Sequence, residues 1–227
     1  MLSVIIPVLN AGKSLGETLD AVSEAGRHFP CETIVVDGGS TDDTAQIAAR
    51  HGAILINSAR GRGVQLAAGA AAAAGDWFFF LHADTRPQAD WIGAFRKFIT
   101  ADNNRRRAAV LHFRLDDPGF SARLVERAVA VRGSVFGLPY GDQGLLISRA
   151  FYEEIGGYKR IPLMEDVDIV RRIGRRRLRV LDAIALTSAA RYRRDGYLMR
   201  SLRNLICLGL YKIGASPRFI ANFYEAH

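Results

Sequence analysis

Glu32-Thr33-Ile34-Val35-Val36-Asp37-Gly38-Gly39-Ser40-Thr41-Asp42-Asp43 decides the fold class. A β-branched apolar run stops at an acid, passes two glycines, and reaches the hydroxyls and acids that open helices. The stretch therefore reads as a strand, a turn and a helix start with a hydroxyl cap. That helix runs to His51 and stops at Gly52. The same alternation continues on both sides. Leu2 to Val8 is an apolar strand, and Leu15, Leu19 and Val22 follow at helical spacing. Ala53 to Ile56 makes a third strand, and Val64 to Ala74 an Ala-rich helix ended by Gly75. Trp77 to Leu81 is apolar throughout, as a strand buried on both faces must be. Strands alternating with helices predict an α/β single domain, with a Rossmann-like, mostly parallel central sheet and helices on both faces. Ala109 to Leu115 and Gly144 to Ser148 read as further strands in a less regular second half.

A chain of 227 residues without repeat or linker suits one domain, and 49% hydrophobic with 24% charged content excludes disorder and fibre. Cys31 and Cys207 match no metal spacing and fit a reduced, intracellular compartment. No apolar run approaches the ~18 residues of a membrane span. Leu2 to Val8 already reads as a strand rather than a signal peptide, so a cytoplasmic protein is expected. Lys and Arg total 31 against 23 Asp and Glu, a net +8, with a run of arginines between Arg171 and Arg203. No nucleic-acid motif accompanies that run, so nucleic acid is not an expected partner. Polyanionic substrates and an anionic membrane at its inner face remain, beside the plain alternative of a solvated helix face.

Ligands of an open α/β sheet bind beyond the carboxyl ends of its strands. Four such ends are polar or flexible here: Pro7-Val8-Leu9-Asn10, Asp37-Gly38-Gly39-Ser40, Arg60-Gly61-Arg62-Gly63 and His82-Ala83-Asp84. Together they predict a crevice suited to a phosphorylated ligand. Gly12-Lys13-Ser14 is no phosphate-binding loop, because Pro7 stands where its first glycine belongs. The dinucleotide fingerprint is also missing. His82 and Asp84, one residue apart at a strand end, can point at one divalent cation, Mn²⁺ or Mg²⁺, on a diphosphate. The competing reading is a turn through Thr85-Arg86-Pro87. Met164-Glu165-Asp166-Val167-Asp168-Ile169 opens a helix expected to reach Arg176. Its acids either complement the helix dipole or supply a general base for an attacking hydroxyl. Val167 and Ile169 should face the core.

In this order and spacing the motifs carry a resemblance. From the N-terminus to about Ile173 the chain resembles the family 2 glycosyltransferases of the GT-A fold. Ser3 to Asn10 is similar to the family's opening strand, and Ile34 to Asp42 to its D-D-G-S-x-D signature. Phe80 to Asp84 resembles the metal-binding D-x-D end, and Gly156-Gly157-Tyr158 with Glu165 to Asp168 the G-G-F and E-D-x-D elements. His-Ala-Asp, Pro139 to Gly144 and Pro162 to Asp166 resemble a small bacterial subgroup more narrowly.

The resemblance implies an inverting transfer of a sugar from a nucleoside-diphosphate sugar, UDP favoured, to a hydroxyl acceptor that can be lipid-linked. Pro7, Leu9 and Asn10 would line the nucleotide pocket, and Asp37 would accept a hydrogen bond from the base. Arg62, or its neighbour Arg60, would approach the diphosphate. His82, Ala83 and Asp84 would sit at the metal, and Asp166 would be the base with Glu165 beside it. Residues 1–100 would hold the donor and 101–190 the acceptor, through Tyr140, Asp142 and Gln143. Departures from the family pattern are His82 for a first Asp, Gly38 for a second Asp, and Ala67 where an Asn often stands. The Q-x-x-R-W element has at most a distant substitute in Arg191-Tyr192-Arg193-Arg194.

Two rivals are a sugar-phosphate nucleotidyltransferase and a non-catalytic nucleotide-sugar-binding protein. The first calls for a Gly-rich basic loop after the first strand, which is missing; the second gives no reason for Asp84 and Asp166. Residues 191–227 read as a basic amphipathic helical segment. Leu198, Leu202, Leu205 and Ile206 share one face, for a membrane surface, the core or a second copy of the chain.

Overall fold

A computed structural model describes residues 1–88, 90–136 and 141–225. The first half alternates β1 Leu2–Val8, α1 Leu15–Ser23, β2 Cys31–Asp37, α2 Thr44–Arg50, β3 Ile54–Asn57, α3 Arg62–Ala72 and β4 Trp77–Phe80. Then come β5 Thr85–Gln88, α4 Trp91–Thr100, β6 Ala108–Leu115, α5 Phe120–Phe136, β7 Leu145–Ser148 and α6 Arg149–Glu154. The chain closes with α7 Glu165–Ile173, β8 Leu178–Thr187, α8 Ala190–Asp195, α9 Tyr197–Lys212 and α10 Pro217–Glu225.

One eight-stranded sheet runs in the order β3-β2-β1-β4-β7-β6-β8-β5. The pairs from β3 to β4 are parallel, as the alternation requires, and so is β6 with β8. β7 lies antiparallel between β4 and β6, and β5 antiparallel against β8. The sheet is therefore mostly parallel, but only just.

Period-two alternation sends β1 to both faces. Leu2, Val4, Ile6 and Val8 pack with Leu15, Leu19 and Val22 of α1 and Trp91, Phe95 and Phe98 of α4. Ile5 packs on the other face with Leu66 and Ala70 of α3 and Val167, Ile169 and Ile173 of α7. Phe79 and Phe78 divide the same way on β4. Each such fully buried side chain contributes about 1.5–3 kcal/mol. Val167 and Ile169 face the core as expected.

Three expectations change. The helix after β2 has Asp43 at its N-cap position and no side-chain cap; the Ser40 and Thr41 hydroxyls bond Asp37 and Asn10 instead. Thr85-Arg86-Pro87 is an edge strand rather than a turn, which is where a sheet tolerates proline. α7 ends at Ile173, because Gly174 turns the chain with φ 78° before Arg176.

Candidate active site

The end of β4 is pinned from two sides. Thr18 donates its hydroxyl to the Ala83 carbonyl at 2.9 Å, and the Ser188 N–H donates to the Asp84 carbonyl at 2.9 Å. With its backbone held, Asp84 turns its carboxylate to an open cleft that Arg62, Asp142 and Asp166 also line. Among the described residues its ion pair is a long one, 3.7 Å to Arg191. His82 also faces the cleft. Burial and the Arg62 charge push its imidazole down to about 4, so the ring is neutral at pH 7 and offers a lone pair.

Asp166 approaches from the first turn of α7. Its Oδ2 accepts the Gly141 N–H at 2.9 Å and its Oδ1 the Val167 N–H at 2.7 Å. Gly141 is tightly enclosed: a Cβ there would lie 2.7 Å from His82 Nε2 and 3.6 Å from the Asp166 Cβ. His82, Gly141 and Asp166 thus converge. Ahead of this helix Met164 takes the left-handed region at φ 67°, unusual for a side chain of its size.

Glu165 is fully buried, and neither carboxylate oxygen has a hydrogen bond. Arg62 Nε stands 3.6 Å away. Burial pushes the Glu165 carboxyl up to about 7, Arg62 pulling against it and Asp166 adding to it. Burial also opposes the charge on Arg62, yet Glu165, Asp166 and Asp84 outweigh it and hold the guanidinium charged. Arg62 opens α3 after Gly61, whose φ of 137° favours glycine. The next N–H, of Gly63, donates to the Ile161 carbonyl at 3.1 Å.

These pKa shifts carry a pH dependence. Between about 4.5, the ordinary value, and about 7, folded Glu165 keeps a proton that the unfolded chain releases. Its contribution to stability therefore falls as pH rises through that window. His82 works the other way, its value dropping from 6.5 to about 4. Comparing Glu165→Gln with wild type isolates the carboxyl. The variant's melting temperature should gain on wild type from about pH 4.5 to 7 and hold its lead above that. A difference constant with pH would refute this account of Glu165.

The remaining predicted residues fall in three places. Asp142 lines the cleft; burial pushes it up to about 6, against the pull of Arg132, and its Oδ1 is buried without a hydrogen bond. Gln143 turns inward, donating Nε2 to the Leu111 carbonyl at 2.9 Å. Tyr140 lies outside the described residues.

Pro7, Leu9, Asn10 and Asp37 form a neighbouring cluster at the ends of β1 and β2, which lie one and two strand spacings from β4, about 5 and 10 Å along the sheet. Asp37 Oδ1 accepts both the Ser40 hydroxyl at 2.7 Å and the Ser40 N–H at 2.9 Å. Asn10, at φ 51°, accepts the Thr41 N–H at 2.9 Å. Gln65 ties the two strand ends together, its Nε2 donating to Val8 O at 2.7 Å and Val36 O at 2.8 Å.

On the far wall of the cleft stand Arg191 and Tyr192, from the stretch offered as a distant substitute for Q-x-x-R-W; sequence reasoning missed the rest of that wall, Thr187, Ser188, Arg200, Asn204 and Tyr224. The signal was the other side of α9. Arg200, Asn204 and Cys207 recur opposite the leucine stripe, and Arg200 is buried against Asp195 at 2.8 Å and the Tyr224 hydroxyl at 2.7 Å. Of the three places open to the leucine stripe, the core is the one it does not take: Leu198, Leu202 and Leu205 are exposed.

Known proteins share both the motifs and the frame. An uncharacterized glycosyltransferase of Mycobacterium tuberculosis is 42% identical over 72 residues, 31% of each protein. The match thus spans about a third of the length of that relative. Glucosyl-3-phosphoglycerate synthase of M. tuberculosis, solved with Mn²⁺, UDP and glucosyl-3-phosphoglycerate, superposes with a TM-score of 0.58 at 21% identity. That superposition covers 82% of this chain and 71% of the synthase. Mannosyl-3-phosphoglycerate synthase of Rubrobacter xylanophilus gives 0.60 at 18% identity, over 95% and 75% of the two chains. These structural likenesses establish the GT-A glycosyltransferase frame. The glycosyl transferase family 2 model matches residues 3–126, more than half of the 227-residue chain, and the chain therefore belongs to glycosyl transferase family 2.

Proposed function

We propose that the chain transfers a sugar from a nucleoside-diphosphate sugar, UDP favoured, to a hydroxyl acceptor with inversion at the anomeric carbon. The observation that carries this reading is one cleft faced by the His82-Ala83-Asp84 strand end and by the Asp166 carboxylate. In a single displacement the acceptor oxygen attacks the anomeric carbon, the bond to the diphosphate breaks, and the acceptor proton passes to Asp166. Residues 1–100 are assigned to the donor, with Asp37, Asn10, Leu9 and Pro7 at the nucleotide and Arg62 at the diphosphate. Residues 101–190 are assigned to the acceptor, with Asp142 and Tyr140; Gln143, turned inward to the Leu111 carbonyl, supports that side from behind, and the wall from Arg191 to Tyr224 adds to them.

The donor set fits a divalent metal that arrives with its substrate. A neutral imidazole and a carboxylate stand together, while no group of three His, Cys, Asp or Glu suited to a metal occurs among the described residues. Asp84 and His82 would be the protein ligands, diphosphate oxygens and water completing the sphere of Mn²⁺ or Mg²⁺. Such a metal neutralises the charge of the departing diphosphate. Support comes from the related synthase solved with Mn²⁺ and UDP.

Asp84→Ala tests this reading. Among the described residues the side chain's ion pair is the long 3.7 Å one with Arg191, and the backbone bonds survive, so the fold should persist. In calorimetric titration with UDP and Mn²⁺ the variant should lose the chelator-sensitive part of the affinity. Wild-type affinity that is equal with and without chelator would sink the metal assignment. For wild type, the right nucleotide sugar at ~100 times its Kd should raise the melting temperature by roughly 5–10 °C. Hydrolysis of that sugar nucleotide by the pure protein separates an enzyme from a binding protein.

A further inference from the structure

α9 carries opposite chemistries on its two sides. Arg200 and Asn204 reach the cleft on the inner side, where Cys207 and Leu208 are buried. The outer side shows Leu198, Leu205 and Ile213 at 83%, 63% and 81% exposure, with Leu202 and Ile206 between them. At helical spacing these residues make one ridge, about 24 Å long for 16 residues. α5, which packs beside α9, adds exposed Phe120, Leu124 and Val131 on a single face of its own. Contiguous apolar surface of this kind marks an interaction site.

We propose that this face docks on an anionic lipid bilayer, lying in the interface without crossing it. Charge selects that occupant over a second copy of the chain. Residues 191–227 hold seven Lys or Arg and two Asp or Glu. Arg191, Arg193, Arg194, Arg200 and Arg203 turn to Asp84, Asp116, Asp117 and Asp195, but Tyr197–Lys212 contains no acid, and Lys212 of α9 and Arg218 of α10 are exposed. A two-fold contact would set this cationic rim against itself. A bilayer instead offers acyl chains to the leucines and negative headgroups to the rim, a gain of about 1 kcal/mol for each basic residue near the surface. Among the described residues no helix is long and apolar enough to cross a membrane, so the contact is peripheral.

Flotation of the full chain at low salt tests it, using vesicles of equal parts phosphatidylglycerol and phosphatidylcholine against phosphatidylcholine alone. Wild type should float with the anionic vesicles only. Leu202→Glu with Leu205→Glu should cut the bound fraction roughly tenfold. Exposed sites change stability little, so its melting temperature should stay within about 2 °C of wild type. A second readout needs no loss of binding. Trp77 and Trp91 are both buried, so a tryptophan introduced by Leu198→Trp reports the ridge, and its emission should shift to the blue on anionic vesicles alone. Absence of both flotation and blue shift overturns the proposal. So does a wild-type dimer that the double variant converts to a monomer while neither binds vesicles.

Discussion

Asp166→Asn is expected to lower the turnover of sugar transfer by ~10²–10⁴-fold while donor affinity stays near wild type. A sugar hydroxyl is a poor nucleophile at neutral pH, so its proton must pass to a carboxylate as the new bond forms. Three acids open α7, and the structure separates their duties. Asp168 is bound to Lys159 at 2.7 Å and to Arg172 at 2.5 Å, a pairing that leaves it structural. Glu165 is sealed from solvent. Asp166 is the member of the three that lines the open cleft. Asparagine keeps one oxygen, which accepts from one of the two N–H groups of Gly141 and Val167 while its NH2 faces the other, so the basicity is lost at the cost of one hydrogen bond and a thermal melt accompanies the kinetics. Steady-state kinetics on the true acceptor, with donor affinity measured separately, decides the matter. Transfer within a few-fold of wild type would move the base elsewhere, and Asp142 in the same cleft would be tested next.

Gly63→Ala should be the most damaging small substitution near the site. A Cβ at this position would collide with the Lys159 carbonyl oxygen and stand 2.7 Å from that of Ile161. Both obstacles are backbone, so neither can swing aside. Overpacking of this kind costs typically 1–3 kcal/mol, about 3–10 °C in melting temperature for a domain of this size. It should also weaken donor binding, because Arg62 is the adjacent residue and the shift would pull it from Glu165. Thermal melts and nucleotide titration check the two parts. A variant that melts within a degree of wild type would show that α3 and the segment before α7 are not so closely seated.

The donor half was legible because β1, β2 and β4 are buried on both faces and its helices are amphipathic, so apolar runs and their periods mark the elements, and even the exposed edge strand β3 keeps an apolar Ile54-Leu55-Ile56 run. Ile34 to Asp37 could hardly be read otherwise. β5 escaped because Thr85-Arg86-Pro87-Gln88 holds no apolar run and takes its order from β8. β8 itself escaped because Arg179 and Asp182 interrupt its apolar residues and its first half is largely exposed. Of the site, the strand-end residues and the acids of α7 could be found by type and position. Arg200, Asn204 and Tyr224 could not, since only the return of α9 and α10 over the sheet brings them to the cleft. Their contacts are long-range and leave no local period.

Gly38 and Gln65 restrict how this sequence can change. A side chain at position 38 would start 3.1–3.2 Å from the carboxamide of Gln65, the group that holds the carbonyls of Val8 and Val36. Restoring the aspartate usual at position 38 in the family would press on that amide and loosen both strand ends. Removing Gln65 first would leave two buried carbonyls unmatched, at about 1–3 kcal/mol for such a group. A side chain at position 38 is therefore admitted only as far as the Gln65 carboxamide can give by a few tenths of an ångström, and changes at the two positions should not be additive.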